Sequence, residues 1–425
     1  ADDATPATLR CDLLIELGRA QQRLAQPQYR DSLLEASRLA RRANDPERLT
    51  TAVLANNRGW WSNTSAIDDE RIEYIEVALA HSPDDDLSAR AKLLSAWALE
   101  NVRHSAVRDE VLSAAKRALD LAEESEDPHA LALVFAHRYA VLHALFEDPA
   151  ECALMNDRLM SLANRLGDRQ MRLSAAVGTA QSRLGLGEFS IAERYINEAV
   201  RLAEVHADPA RTWLLRTWQA MRQGARGDFD DAERLAAEAL ELGTQSEQAD
   251  AYTWFAGQLF TFRMLQGRLP EIMDAVREQA VALTEALPAW NAALALALSR
   301  SGHQEDAMAV IDEFAATNFD RLPRDLLWLH ALHYFTLACE ELSLDQYAGA
   351  LYDLLLPHDG MVATNGTIDA GPVSLHLGIL ARLQGRDALA EDHLAAAETL
   401  SRRMGSPVWS TEASRRRDHH TAPTR

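Results

Sequence analysis

Small and apolar residues recur along most of this chain at steps of three and four. In GEFSIAERYINEAVRL (Gly187–Leu202) and just beyond it they fall at Phe189, Ala192, Ile196, Ala199 and Ala203. That spacing is one face of an α-helix and not the alternation of a strand. The pattern returns 40 residues later as GDFDDAERLAAEALEL (Gly227–Leu242), with eight of sixteen positions identical. Further copies begin at Gly267 (GRLPEIMDAVREQAVAL), Gly302 (GHQEDAMAVIDEF) and Gly385 (GRDALAEDHLAAAETL). Another helical stretch precedes each glycine, as Thr212 to Arg226 precedes Gly227. A glycine ends a helix at little cost in the left-handed region, and the acidic residues after it favour the positive start of the next helix.

Helix starts carry their own chemistry. Asp45-Pro46, Asp127-Pro128 and Asp208-Pro209 pair an N-cap acceptor with a proline at the first helical position, and Leu287-Pro288 and Leu322-Pro323 offer the same proline signal. First helices are predicted to start near Thr8, Pro46, Ser88, Pro128, Asp168, Pro209, Glu247, Pro288, Arg324 and Gly371. A repeat near 40 residues and about ten hairpins follow. One hairpin cannot bury both of its faces, so stacking is required. The expected fold is all-α, a right-handed superhelical solenoid of tetratricopeptide-like hairpins over residues 1–409. Two stretches break the pattern: a polar loop with adjacent tryptophans from Asn56 to Asp69, and the glycine-bearing PHDGMVATNGTIDAGP from Pro357 to Pro372. Long irregular loops of this kind are often functional. Residues 410–425 read as a disordered basic tail.

Composition narrows the function. The chain has 425 residues, 47% of them hydrophobic but only 6% aromatic, so Ala and Leu must fill much of the core. With 43 basic against 64 acidic residues the net charge is −21, which argues against a grip on nucleic acid or on anionic membranes. Only Lys92 and Lys116 are lysines. Heavy Ala and Arg usage with so little Lys suits a GC-rich bacterial genome. Cys11, Cys152 and Cys339 are far apart, with no CxxC, which fits a reducing compartment. No apolar run of membrane length is present and the start has no signal-peptide layout, so a cytoplasmic location is expected. With no initiator Met, the start reads as a processed end or a cut from a longer chain.

Catalytic and metal motifs are scarce. There is no Walker-type GxxxxGK[ST], HExxH, GxSxG or DxDxDG. His330 and His333 stand at i,i+3 and offer two metal ligands; the plainer reading is two partly buried helix residues beside Trp328 and Tyr334. The loop Asn365–Gly371 offers backbone N–H groups to an anion, against the plainer reading of a structural loop. Asn56, Asn57, Arg58, Trp60 and Trp61 form a polar-aromatic cluster of hot-spot type, or else a Trp wedge with capping asparagines. Arg183, Arg222, Arg226 and Arg263 lie near the ends of first helices, interleaved with Trp213, Trp218, Tyr252 and Trp254. If first helices line a concave face, Arg183, Trp218, Arg222, Trp254 and Arg263 form a groove for an acidic peptide or anionic ligand. The helix dipole alone also explains arginines there, and Arg222 stands one position out of register with Arg183 and Arg263. In the tail, Arg415, Arg416, Arg417, His419 and His420 are read as solvated.

GxFxxAERxxxEAxxL resembles the tetratricopeptide superfamily. A wider resemblance rests on Leu13–Leu49, on LANNRGWWSNTSAIDDERIEYIEVAL (Leu54–Leu79), on FDRLPRDLLWLHAL (Phe319–Leu332), and on LYDLLLPHDGMVATNG with LGILARLQGRDALAEDHLAAAETLSRRMGSPVW after it. These are similar to the C-terminal helical-repeat sensor region of actinobacterial STAND-type ATPase regulators, including adenylate-cyclase-like, LuxR-type and maltose-regulator-like forms. The resemblance implies a non-enzymatic domain that recognises a small-molecule inducer or a protein or peptide partner and controls an upstream ATPase or cyclase-like module. This chain contains no ATPase, cyclase or DNA-binding element itself. No cofactor or metal is expected. The alternatives are a stand-alone peptide- or protein-binding scaffold without a small ligand, and an enzyme built on a helical frame.

Overall fold

The computed structural model describes residues 6–421 apart from 25, 27, 58–67, 207, 208 and 247. Arg58, Trp60 and Trp61 of the polar-aromatic cluster, and the Asp208 cap, lie outside the described residues. Among the described residues the chain is all-α except for one short hairpin. The helices are α1 (Ala7–Arg23), α2 (Tyr29–Arg42), α3 (Pro46–Ala55), α4 (Asp69–His81), α5 (Leu87–Glu100), α6 (Arg108–Ser125), α7 (Pro128–Ala144) and α8 (Pro149–Leu166). There follow α9 (Arg169–Gly185), α10 (Phe189–His206), α11 (Pro209–Arg226), α12 (Phe229–Gln245), α13 (Ala251–Leu265), α14 (Met273–Ala282), α15 (Ala289–Arg300) and α16 (Gln304–Ala315). The last are α17 (Trp328–Leu342), α18 (Ala348–Leu355), α19 (Val373–Leu383), α20 (Asp387–Met404) and α21 (Pro407–Thr421). Between α18 and α19 run β1 (Val362–Thr364) and β2 (Asp369–Pro372), paired antiparallel with an irregularity in their register.

Packing divides the chain into two compact units. One comprises residues 1–179, 197–214 and 241–250; the other comprises 180–196, 215–240 and 251–425. Within the first, each helix from α1 to α7 packs on its successor. The first helices α1, α3, α5 and α7 also pack on one another in series. Within the second, α15 packs on α17 and α17 on α19, while α16, α18 and α20 fill the places beside them. A helix whose apolar stripe is wider than one partner can cover meets both its hairpin mate and the next hairpin.

The residues that form the helices follow the sequence signals closely. Phe189, Ala192, Ile196, Ala199 and Ala203 are all buried. Pro46, Pro128 and Pro209 begin α3, α7 and α11, while α13 and α17 begin four residues after the expected Glu247 and Arg324. Asp45 accepts from the Arg48 N–H at 3.0 Å and Asp127 from the His129 N–H at 2.9 Å, the expected capping bonds. Asp127 also accepts from Ser88 at 2.5 Å and Lys92 at 2.8 Å. These bonds outweigh the cost of burying the carboxylate and hold its pKa well below the usual range. Asp127→Ala should therefore destabilise the fold by about 1–2 kcal/mol, a cap's worth, read as a lower urea midpoint at unchanged slope. Gly187, Gly227, Gly267, Gly302 and Gly385 all hold φ between +70° and +86°. The left-handed turn that a glycine makes cheap thus recurs at each copy of the motif.

An ion pair lies inside the first unit. Arg71 of α4 donates to Glu100 at the end of α5 at 2.5 Å, and both are 3% exposed. Ser95 of α5 contacts His137 Nδ1 of α7 at 3.0 Å.

Two expectations are corrected. The segment from Ser410 is not disordered as far as Thr421: it is part of α21, held by buried Trp409 and Ala413. Arg416 donates to Glu340 at 3.0 and 2.7 Å, and Arg417 to Glu391 at 2.6 Å and Glu398 at 2.5 Å. The arginines that read as a solvated tail are the polar side of a docked helix. The Pro357–Pro372 stretch is not an open loop either. It contains the β-hairpin, and its strands are buried almost throughout.

Candidate functional site

The hairpin is the most irregular feature of the second unit and organises the residues around it. Its turn is made locally. The Asn365 side-chain oxygen accepts from the N–H groups of Thr367 at 2.9 Å and Ile368 at 3.0 Å, and Gly366 holds φ +84°. An Asn side chain can imitate a backbone turn in this way, and only glycine adopts the next position without strain. Thr364 Oγ1 donates to the Ile368 carbonyl at 2.9 Å. Val362, Ala363, Ala370 and Val373 pack into the core.

Helical side chains hold the hairpin by its backbone. Gln181 of α9 donates to the Asn365 carbonyl at 2.6 Å. Gln258 of α13 donates to the Thr367 carbonyl at 2.9 Å and to the Thr217 carbonyl at 2.7 Å. The turn rests on the indole of Trp218, where a Cβ on Gly366 would lie 2.7 Å from Nε1. Gly366→Ala combines that collision with a strained φ. It should cost about 1–3 kcal/mol and be visible as a lower thermal midpoint.

The structure places the five sequence-predicted groove residues individually. Trp218 is 1% exposed and lies under the hairpin turn. Arg222 is 8% exposed, donates to Glu193 at 2.9 Å, reaches the Met404 carbonyl at 3.4 Å and stacks over Phe189 at 4.9 Å. Arg263 donates to Glu233 at 2.9 Å and Gln266 at 3.0 Å, and Arg183 donates to Glu188 at 2.8 Å. Trp254 is half-buried on α13. Trp218 and Arg222 thus meet the chain's own C-terminal segments. Glu193 and Glu233 are the same position of the AER motif, 40 residues apart, and each pairs with an arginine of the following first helix. The one-residue slip between Arg222 and Arg263 is absorbed by the long, flexible side chain. The arginine series therefore joins one repeat to the next.

A buried polar cluster backs the hairpin. His333 of α17 and His376 of α19 stack at 3.5 Å between ring centroids, and their Nδ1 atoms lie 3.2 Å from the Ala370 carbonyl and 3.3 Å from the Pro372 carbonyl. His330 is 1% exposed on α17. Burial pushes His330 down to about 4 and His376 down to about 3, and drives His333 well below the usual range with help from the two neighbouring histidines. Asp369 of β2 is pushed up to about 6 by burial, against the pull of the Gly371 N–H and Arg222. His330 and His333 are both buried, at 1% and 0% exposure, and among the described residues no three His, Cys, Asp or Glu side chains are grouped so as to hold a metal ion. The anion reading of Asn365–Gly371 fares similarly, because the turn's N–H groups at Thr367 and Ile368 already donate to Asn365.

Gln181, Gln258, Asp369, His376 and Trp409 were not singled out by sequence. The Asn365-Gly366 pair between short apolar runs was a usable hairpin signal. Nothing local marks the helical side chains that meet it from far along the chain. No protein-family model matches the chain, and no curated protein matches it significantly. No helix among the described residues is long and apolar enough to cross a membrane.

Proposed function

We propose that this chain is a non-enzymatic regulatory repeat domain of a bacterial, cytoplasmic signalling protein. In this reading it is a right-handed solenoid of about ten tetratricopeptide-like hairpins. It recognises a small-molecule inducer or a protein partner and passes a change of curvature to an ATPase of STAND type or a cyclase-like module. The observation that carries the reading is the recurring link between repeats: Glu193 with Arg222 and Glu233 with Arg263, at matching positions of the motif. Links from one repeat to the next let small changes at a bound ligand add along the array. Because Arg183, Arg222 and Arg263 are engaged with glutamates, recognition on this face falls to positions such as Trp254 and Tyr252, the latter 54% exposed.

The test is native mass spectrometry of the purified chain with a thermal-shift screen over metabolites, nucleotides and short acidic peptides. A co-purifying compound, or saturable stabilisation by one class that Trp254→Ala or Tyr252→Ala weakens, is the expected result. A ligand at a hundredfold excess over its Kd adds about 2.7 kcal/mol of stability, which a thermal scan resolves. A bare mass and no shift with any class would remove the small-ligand sensor and leave protein-partner recognition.

A further inference from the structure

Between α11, α13, the hairpin and α21 lies a small chamber that leaves about 10 Å³ for the centre of a water molecule. Its polar wall is formed by Gln258, Thr261, Thr367, Asp369 and Trp409. The Asp369 carboxylate is 4% exposed. Its Oδ1 accepts from the Gly371 N–H at 2.9 Å, while Oδ2 has no hydrogen-bond partner. Trp409 is 3% exposed. Its indole N–H faces the Asp369 carboxylate and favours its charged form, but falls outside direct hydrogen-bond geometry. A buried carboxylate oxygen and a buried indole N–H, both unsatisfied and side by side, are costly, and a chamber of this size fits one water and not two.

We infer that a single ordered water is a structural ligand of this chamber, donating to Asp369 Oδ2 and accepting from Trp409 Nε1–H. One donor and one acceptor give the water two of the two to four bonds that buried waters make, and the Thr367 and Gln258 side of the wall is polar enough to supply more. The water joins β2 to α21, so it links the hairpin to the C-terminal helix. This goes beyond the regulatory reading and does not depend on it.

The experiment is done on the full chain with 15N-labelled indoles at about pH 8, above the Asp369 titration, so that the carboxyl carries no exchangeable proton. Trp409→Phe assigns the Trp409 indole signal. The expected result is a cross-peak between that indole proton and water, with opposite sign in NOESY and ROESY spectra, the signature of a long-lived contact and not of exchange. The peak should persist in Thr261→Val and in Thr367→Val, each of which removes a hydroxyl of the chamber wall able to relay it. No such peak, or its loss in either variant, would overturn the proposal. A crystal structure that orders internal waters decides it independently. Density within hydrogen-bond distance of both atoms supports the proposal, and a direct Trp409–Asp369 hydrogen bond refutes it.

Discussion

Lowering the pH from 7.5 to 5 should destabilise the second unit by at least about 3 kcal/mol. Its three buried histidines, His330, His333 and His376, are neutral in the fold: burial holds His330 down at about 4 and His376 at about 3, and drives His333 well below its ordinary value. In the unfolded chain a histidine titrates near 6.5. The unfolded state therefore takes up protons that the native state refuses. Stability from these groups is complete above about pH 6.5 and falls away as the pH drops towards the native values. At pH 5 His330 and His376 each contribute a loss of about 2 kcal/mol, and His333 adds to it in the same sense. Asp369 acts in the opposite sense. Its native pKa, near 6, lies above the unfolded value, so the folded state gains a proton as pH falls and recovers about 1 kcal/mol by pH 5. In the first unit His137, pushed down to about 3 by burial and then by Arg71, and His143, pushed down to about 4 by burial, each add a loss of about 2 kcal/mol. Urea melts at pH 7.5 and 5.0, followed by hydrogen exchange resolved by segment, should show the α17–α19 region and α7 both losing protection as the pH falls. A pH-independent midpoint would contradict the assignment of neutral buried imidazoles.

Glu100→Ala should cost about 3–5 kcal/mol, the second large effect. It leaves the Arg71 guanidinium buried without the carboxylate that it meets at 2.5 Å. Desolvation makes such a pair a weak net contributor while making its half-removal severe. The double variant Arg71→Met with Glu100→Leu removes both charges at similar volume, and should recover most of the loss. A double-mutant cycle by urea denaturation measures this coupling. Near-additive losses would show that the two charges do not depend on each other.

The helical fold was legible because its signals are local. The three-and-four spacing at Phe189 to Ala203, the Asp-Pro starts at α3 and α7, and the glycine of each motif act within a turn or two of themselves. The tail was misread because Trp409, Ala413 and Arg416 are spread thinly among polar neighbours. Their partners, such as Glu340, lie 76 residues away in sequence. The burial of Trp218 and Arg222 was not legible for the same reason. Composition at Trp218 and Arg222 suits a binding face, but whether such a face is open depends on what else the chain brings to it.

By itself the sequence determined the all-α class, the glycine-terminated helices and the 40-residue recurrence of the AER motif, because helix periodicity, capping and left-handed turns are short-range properties. Only the tertiary structure decided that the Asn365–Gly366 turn lies on Trp218, that Gln181 and Gln258 hold its carbonyls, and that Asp369 meets Trp409 in a buried chamber. Those contacts join residues about 40 to 180 positions apart. They are fixed by the burial of apolar surface and the satisfaction of buried polar groups, which are properties of the packed whole and leave no periodic trace in the chain.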